Sequence, residues 1–504
     1  MVAIAYSVAF EGVEARLVEV QCAVAAGLPG FSIVGLPDKA VSEARERVRA
    51  AFGALAIALP NKRLTVNLSP ADLPKEGSHF DLPIALAVLG ALEILPAEEL
   101  ARHVALGELA LDGRLVAVAG ALPAAMAASE EDRALICPRA CGPEAAWIDQ
   151  IAVFGADTLR AVIDHLTDRQ PLTPARPGAL LDVPDSLCLT DVKGQERAKR
   201  ALEIAAAGRH HLLMIGPPGA GKSMLATRLP GMMPPLSARE ALETSMIHSV
   251  AGLLTDGAIS RRAPFQDPHH TASSPAIVGG GPKARPGQMS LAHHGVLFLD
   301  ELPEFPRQVL ETMRQPIETG EVVVSRANAH VRYPCRFLLV AAANPCRCGH
   351  LADPARACSR APACGDSYLG RISGPLMDRF DLRLEVPGVS LQDMDLPPSG
   401  DSTATVAARV AAARQVQARR YRDHPGVQVN AEASGPLLDS VAAPDAEGRA
   451  LILRASERLG LTARGYHRIL RSARTIADLD HSDRVLTRHL AEAISYRLPF
   501  VTGG

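Results

Sequence analysis

Gly216-Pro217-Pro218-Gly219-Ala220-Gly221-Lys222-Ser223 stands between an apolar run, Leu212-Leu213-Met214-Ile215, and the segment Met224-Leu225-Ala226-Thr227-Arg228-Leu229. The first flank reads as a buried strand and the second as a helix start, the setting that a G-x-x-x-x-G-K-S phosphate loop needs. Its glycines let backbone N–H groups turn inward and cradle phosphate oxygens at a helix N-terminus. Lys222 then reaches the β- and γ-phosphates, and the Ser223 hydroxyl ligates Mg²⁺. All eight residues are expected around a bound nucleotide, with ATP and Mg²⁺ as the implied pair.

Downstream, Gly295-Val296-Leu297-Phe298-Leu299-Asp300-Glu301 is an apolar strand ending in two carboxylates. Such a pair can simply cap the next helix. In a chain with a phosphate loop it has chemistry to do: Asp300 holds the Mg²⁺ through water, and Glu301 polarises the attacking water. Phe337-Leu338-Leu339-Val340-Ala341-Ala342-Ala343-Asn344 is a further buried strand ending on a polar side chain that can orient that water.

The 504 residues are enough for about three domains. Residues 1–165 mix strand and helix signals and predict an α+β domain with its own core. Helices are predicted over Lys39–Phe52 and, almost wholly apolar, over Leu82–Leu95. Residues 166–188 carry Pro171, Pro174, Pro177 and Pro184 and suit a semi-extended linker. Residues 189–388 hold the nucleotide motifs. Residues 389–504 read as helical, with helices over Val406–Arg422, Ala446–Leu459, Ala463–Leu479 and Ser482–Arg497.

Charged residues are 21% of the chain and the net charge is −2, so any nucleic-acid surface must be local. Without a basic segment ahead of an apolar block, or an apolar run of the ~20 residues a membrane span requires, the reading is a cytoplasmic protein with no membrane partner. Of nine cysteines, Cys346, Cys348, Cys358 and Cys364 fall within nineteen residues as C-x-C-x9-C-x5-C. Four thiols this close suit a structural, tetrahedral Zn²⁺ site better than a disulfide framework, although the spacing is not that of a standard finger. His269, His270 and His350 are alternative ligands, or else hydrogen-bonded loop histidines.

Pro268-His269-His270-Thr271, Gly279-Gly280-Gly281, Arg285-Pro286-Gly287, the run from Leu291 to Phe305, and Arg314-Gln315-Pro316-Ile317-Glu318 together resemble bacterial Mg-chelatase-like AAA+ ATPases of the ComM/YifB type. The resemblance spans essentially the whole chain. It implies an α/β fold: an AAA+ P-loop ATPase core, an N-terminal Lon-protease-like (ribosomal-S5-like) domain and a C-terminal helical lid. It also implies a homo-hexameric, ATP-hydrolysing helicase acting on single-stranded or branched DNA and promoting branch migration in natural transformation and recombination. Asn344 then takes the sensor 1 role. Arg379, in Asp378-Arg379-Phe380-Asp381, becomes the finger that reaches the neighbouring subunit's γ-phosphate, with Arg371 in reserve. Arg464 becomes the sensor 2 arginine, bonding the γ-phosphate in cis, with Arg468 second.

Two segments would face the pore of such a ring: Ser273–Met289, and a β-hairpin over Glu321–Tyr333. Lys283, Arg285, Arg326, His330 and Arg332 would then track phosphates with salt-dependent, sequence-tolerant affinity; ordinary solvated loops are the plainer alternative. Leu73-Pro74-Lys75-Glu76-Gly77-Ser78 and Gly107–Leu115 resemble Lon proteases, but the nucleophile position falls on His79 and the lysine position on Pro123. A Ser–Lys dyad needs its amine, so this domain reads as non-catalytic and an ATP-dependent protease is set aside. The remaining alternative is the ATPase subunit of a metal-chelatase-like complex that remodels a protein partner.

Overall fold

A computed structural model describes residues 2–35, 38–181, 187–281, 284–325, 330–351, 358–389 and 400–497. Five strands form a wholly parallel sheet in the order Phe265–Gln266, Val296–Leu299, Leu338–Ala343, Leu212–Ile215, Leu382–Glu385. Leu212 sits opposite both Val340 and Leu382, so the phosphate-loop strand has a neighbour on each side. The strands are apolar at nearly every position because helices cover both faces and leave no polar face to present. All five carboxyl ends point the same way, and Gly216, Asp300 and Asn344 follow them directly. In an open α/β sheet that edge is where ligands bind.

The helix after the phosphate loop is short. Lys222–Ala226 ends before a second turn, Leu229–Met232, that carries Pro230 near its start. Proline has no N–H to continue the ladder and restricts the residue before it.

The N-terminal part is a separate seven-stranded sheet with spatial order Gly30–Val34, Arg63–Ser69, Glu14–Ala25, Val2–Glu11, His103–Ala105, Ala134–Pro138, Val153–Ala156. Its long hairpin pairs Val2 with Ala23 through to Glu11 with Glu14. The helices Lys39–Ala54 and Asp81–Ala91 pack onto it. The second is buried from Asp81 to Leu89 but stops at Ala91, short of the expected Leu95, because Glu93 takes φ 59° and Pro96 follows.

Among its described residues the proline-rich connector is pinned at three places. Ala175 N–H donates to Val153 O at 2.7 Å, Gly178 N–H to Pro143 O at 3.0 Å, and Leu180–Leu181 pairs with Ile259–Ser260 of the core. The helices Thr403–Arg420, Ala446–Leu459 and Ala463–Leu479 form the C-terminal cap and share one apolar core with the parallel sheet. The last helix is Thr487–Ser495, starting later than Ser482 because His489 Nδ1 accepts the Leu486 N–H at 3.0 Å and fixes the entry there. No helix of the described residues is long and apolar enough to cross a membrane.

Candidate functional site

The carboxyl edge of the parallel sheet gathers side chains from three strands. Lys222 Nζ donates to Gly216 O at 2.7 Å, Pro217 O at 2.9 Å and Asn344 Oδ1 at 3.1 Å. Ser223 Oγ donates to Asp300 Oδ2 at 2.7 Å. Residues 122 and 77 positions apart are thus brought to hydrogen-bond distance by strand adjacency alone. Burial lowers the Lys222 ammonium below the usual lysine range, opposed by Asp300 and Glu301. In this partly desolvated cradle the ammonium attracts phosphate more strongly than it would in water. A hydroxyl and a carboxylate oxygen in direct contact are the hard donors Mg²⁺ takes, so the pair fits that ion. Bound there, Mg²⁺ would neutralise charge on the β- and γ-oxygens.

Glu301 adopts φ 53°, in the left-handed region that side chains other than glycine rarely occupy. Its N–H donates to Asp300 Oδ1 at 2.9 Å, so both Asp300 oxygens are engaged. His270 Nδ1 lies 3.5 Å from Glu301 Oε2. His270 entered the sequence reading only as an alternative zinc ligand, whereas its strand, Phe265–Gln266, neighbours the acidic strand and delivers it to Glu301. The signal that pointed there is the His269-His270 pair just after a strand of the same sheet.

A second group escaped notice in the sequence. Glu243, on the helix Ala238–Ala251, meets His294 Nε2 at 2.9 Å and His293 Nε2 at 3.7 Å, just ahead of the acidic strand. Arg336 N–H donates to His293 Nδ1 at 3.0 Å, so a neutral His293 carries its proton on Nε2, towards Glu243. That tautomer has no lone pair on Nε2 to give a metal, and the group is a hydrogen-bonded brace. Burial pushes His293 down to about 4, and its hydrogen bond holds Glu243 well below the usual carboxylate range.

The arginines lie elsewhere. Arg379 is buried: its Nε donates to Arg314 O at 3.0 Å, its Nη1 to Pro375 O at 2.6 Å, and its Nη2 pairs with Glu318 at 2.7 Å. Arg371 is half exposed and pairs with Glu304 at 3.2 Å. Arg209, Arg336, Arg464, Arg468 and Arg471 face Glu318, Asp381 and Glu432 around a cavity of about 490 Å³. That cavity also touches His211, Phe337 and Asp381, which precede their strands, so it opens at the amino edge of the sheet. From His211 to Gly216 the strand rises roughly 16 Å at ~3.3 Å per residue. Arg464 and Arg468 therefore sit at the opposite end of the sheet from their own chain's phosphate loop. The cis contact expected from the sequence is not formed, because the cap packs on the amino edge.

Of the candidate DNA contacts, Lys283 and Arg326 lie outside the described residues. The strands Glu321–Ser325 and His330–Pro334 pair antiparallel, and Gly279–Gly280 pairs antiparallel with Arg285–Pro286 after the short helix Ser274–Val278, so each segment carries a hairpin-type strand pair. Tyr333 OH donates to Ala284 O at 2.7 Å and ties one hairpin to the other. Arg285 and Arg332 are exposed, the latter 3.8 Å from Glu321. The four clustered cysteines converge: Cys346 Sγ lies 3.1 Å from Cys348 Sγ, and the thiols of Cys358 and Cys364 bond to that pair. In the N-terminal part Ser78 Oγ donates to Glu108 and the buried His79 Nε2 to Val8 O at 2.9 Å.

Three family profiles match successive parts of the chain. Residues 18–141 match "Subunit ChlI of Mg-chelatase", 188–394 match "Magnesium chelatase, subunit ChlI", and 400–497 match "Magnesium chelatase, subunit ChlI C-terminal". The competence protein ComM of Haemophilus influenzae is 43% identical over 503 residues, covering 98% of this chain and 97% of that protein. The YifB protein of Escherichia coli is 44% identical over 495 residues, covering 96% and 95%. The magnesium-chelatase 38 kDa subunit of Rhodobacter capsulatus is 27% identical over 351 residues, covering 61% of this chain and 86% of that subunit.

Proposed function

The chain belongs to the ComM/YifB-type, Mg-chelatase-like family of AAA+ ATPases, and on that premise we propose that it is a ring-forming motor that turns ATP hydrolysis into movement along DNA. The reading rests above all on the joint placement of Lys222, Ser223, Asp300 and Asn344 at one sheet edge, beside Glu301. Phosphoryl transfer asks the protein mainly for positioning and charge, and this edge supplies both. Lys222 holds the β- and γ-phosphates, Glu301 takes a proton from the attacking water, and Asn344 orients that water.

The arginine-lined cavity supports a ring. It lies far from its own phosphate loop, and while Arg209 and Arg468 pair with Glu432 and Asp381, Arg464 is exposed on its rim and is the cation it offers to a neighbour's nucleotide. Arg371 is the more accessible finger, and Arg379 becomes one if Glu318 releases it. The two tied hairpins, with Arg285 and Arg332 exposed, are the elements that would grip the DNA backbone. A close relative named for competence favours placing such a helicase in natural transformation and recombination, where it would drive branch migration. A relative named as a magnesium-chelatase subunit favours a second reading, an ATPase subunit that remodels a protein partner.

The test is ATP turnover with and without branched DNA, beside strand displacement on the same substrate. Stimulation by DNA together with displacement, both lost in Glu301→Gln, is the expected result. Turnover indifferent to DNA, with no displacement, would overturn the DNA motor; specific capture of a large chelatase-type partner would favour the second reading.

A further inference from the structure

We infer that Cys346, Cys348, Cys358 and Cys364 hold one thiophilic divalent cation of the zinc class, and that this cation clamps the phosphate loop from outside. The inference rests on the nucleotide-site reading above, and on no assumption about DNA.

The sulfurs close a ring of contacts. Cys346 meets Cys348 at 3.1 Å, Cys348 meets Cys358, Cys358 meets Cys364, and Cys364 meets Cys346. Thiols are weak donors and weak acceptors, so mutual hydrogen bonding is a poor reason to gather four of them. A tetrahedral thiolate site is a good one. None of the four is in a disulfide. The turn after the first pair has the geometry that thiolate sites use: Gly349 N–H donates to Cys346 O at 3.0 Å, and His350 N–H donates to the Cys348 sulfur. Backbone N–H bonds to a ligand sulfur orient it and spread its charge once it is a thiolate.

The same turn lies on the phosphate loop. Gly349 has φ 83°, and a Cβ there would stand 2.5 Å from Cδ and 2.6 Å from Cγ of Pro218. Only a residue without a side chain lets the backbone rest directly on that proline. Asn344, two positions before Cys346, accepts from Lys222. The cluster therefore touches the nucleotide site twice, through Pro218 and through the Asn344–Lys222 bond, while no cysteine is itself part of it. Binding one cation closes the loop from Cys346 to Cys364 and removes the freedom of the turn that supports Pro218.

The experiment has three readouts on the full-length protein. Binding of a fluorescent ADP by the wild type comes first; its absence would sink the nucleotide-site reading itself, whatever the metal result. Elemental analysis should then find about one zinc per chain, and cobalt(II) loading of stripped protein should give thiolate-to-metal charge-transfer absorption. Both should vanish in Cys348→Ser/Cys364→Ser. Stripping the wild type should weaken ADP binding about tenfold or more, with recovery on adding zinc. Gly349→Ala should keep its zinc and lose a similar factor of ADP affinity, which covers the case in which the cysteine variant fails to fold. Wild-type protein that takes up neither zinc nor cobalt would overturn the site. Zinc bound, with ADP affinity unchanged by stripping and by Gly349→Ala, would overturn the clamp.

Discussion

Glu301 shows how one residue's chemistry is set by its backbone. Its φ is 53°, its carboxylate lies beside His270, and the Asp300 oxygens are engaged by Ser223 and by the Glu301 N–H. Residues held in such sparsely populated conformations cluster at functional sites, at a cost of about 1–3 kcal/mol each. Replacing the carboxylate by an amide keeps shape and removes the base. Glu301→Gln is expected to lower kcat by about 10²–10⁴-fold while fluorescent-nucleotide binding stays within a few-fold of wild type; equal loss of both would mean the residue is needed for binding. Lys222→Ala should do the opposite and abolish nucleotide binding first, because its ammonium is bonded to the loop carbonyls where phosphate would sit.

At the scale of elements, the helix Ala463–Leu479 is anchored by a buried charge. Asp478 accepts from Arg420 at 2.8 and 2.5 Å, from Arg474 at 2.9 Å and from Asn430 at 2.8 Å. Removing one member of such a network strands the others without partners, which costs about 3–5 kcal/mol. Asp478→Ala should therefore lower the unfolding free energy by about that amount, seen as a lower urea midpoint at unchanged m, and an unchanged midpoint would show the network to be idle. The helix Asp81–Ala91 begins beside a different buried group. His79 is pushed down to about 4 by burial, against its bond to Val8. Its folded value lies below the unfolded value of about 6.5, so between those two pH values the unfolded chain binds more protons. The N-terminal sheet should lose stability as pH falls from about 6.5 towards 4, by roughly 3 kcal/mol for this residue, and keep it above. Melting curves across that window should flatten in His79→Gln, which cannot titrate; an identical slope would place the effect elsewhere.

The whole molecule is held as one piece by contacts that cross its parts. Trp147 Nε1 donates to Gly257 O at 2.7 Å, and Ser249 donates to Glu144, whose carboxyl burial pushes up. Ser249 lies on the helix that also carries Glu243, the brace at the amino end of the acidic strand, so the N-terminal sheet connects physically to the strand that carries Asp300 and Glu301. Beyond one chain, the placement of Arg464 predicts a result that a cis contact would not give. Lys222→Ala and Arg464→Ala should each silence ATP turnover, yet mixing the two proteins should restore activity at the interfaces that pair an intact loop with an intact arginine, about a quarter on random assembly. No recovery on mixing, with mixed assemblies demonstrated, would confine Arg464 to its own chain.

By itself the sequence determined the phosphate loop, the acidic strand, the Asn344 strand, the four-cysteine cluster and the helical C-terminal part. Each is local: glycine spacing, an apolar run with a polar end, or helical periodicity records its own structure within ten or twenty residues. The tertiary structure alone decided which end of the sheet each arginine serves, because that depends on how the cap packs rather than on any spacing near Arg464 or Arg379. It also decided that His270 meets Glu301, that Glu243 braces His293 and His294, and that Gly349 rests on Pro218. Those pairs lie far apart in the chain: the contacts of His270 and Gly349 form because parallel strands placed side by side deliver their carboxyl ends to a common edge, and the brace forms because the helix Ala238–Ala251 packs at the amino end of the acidic strand.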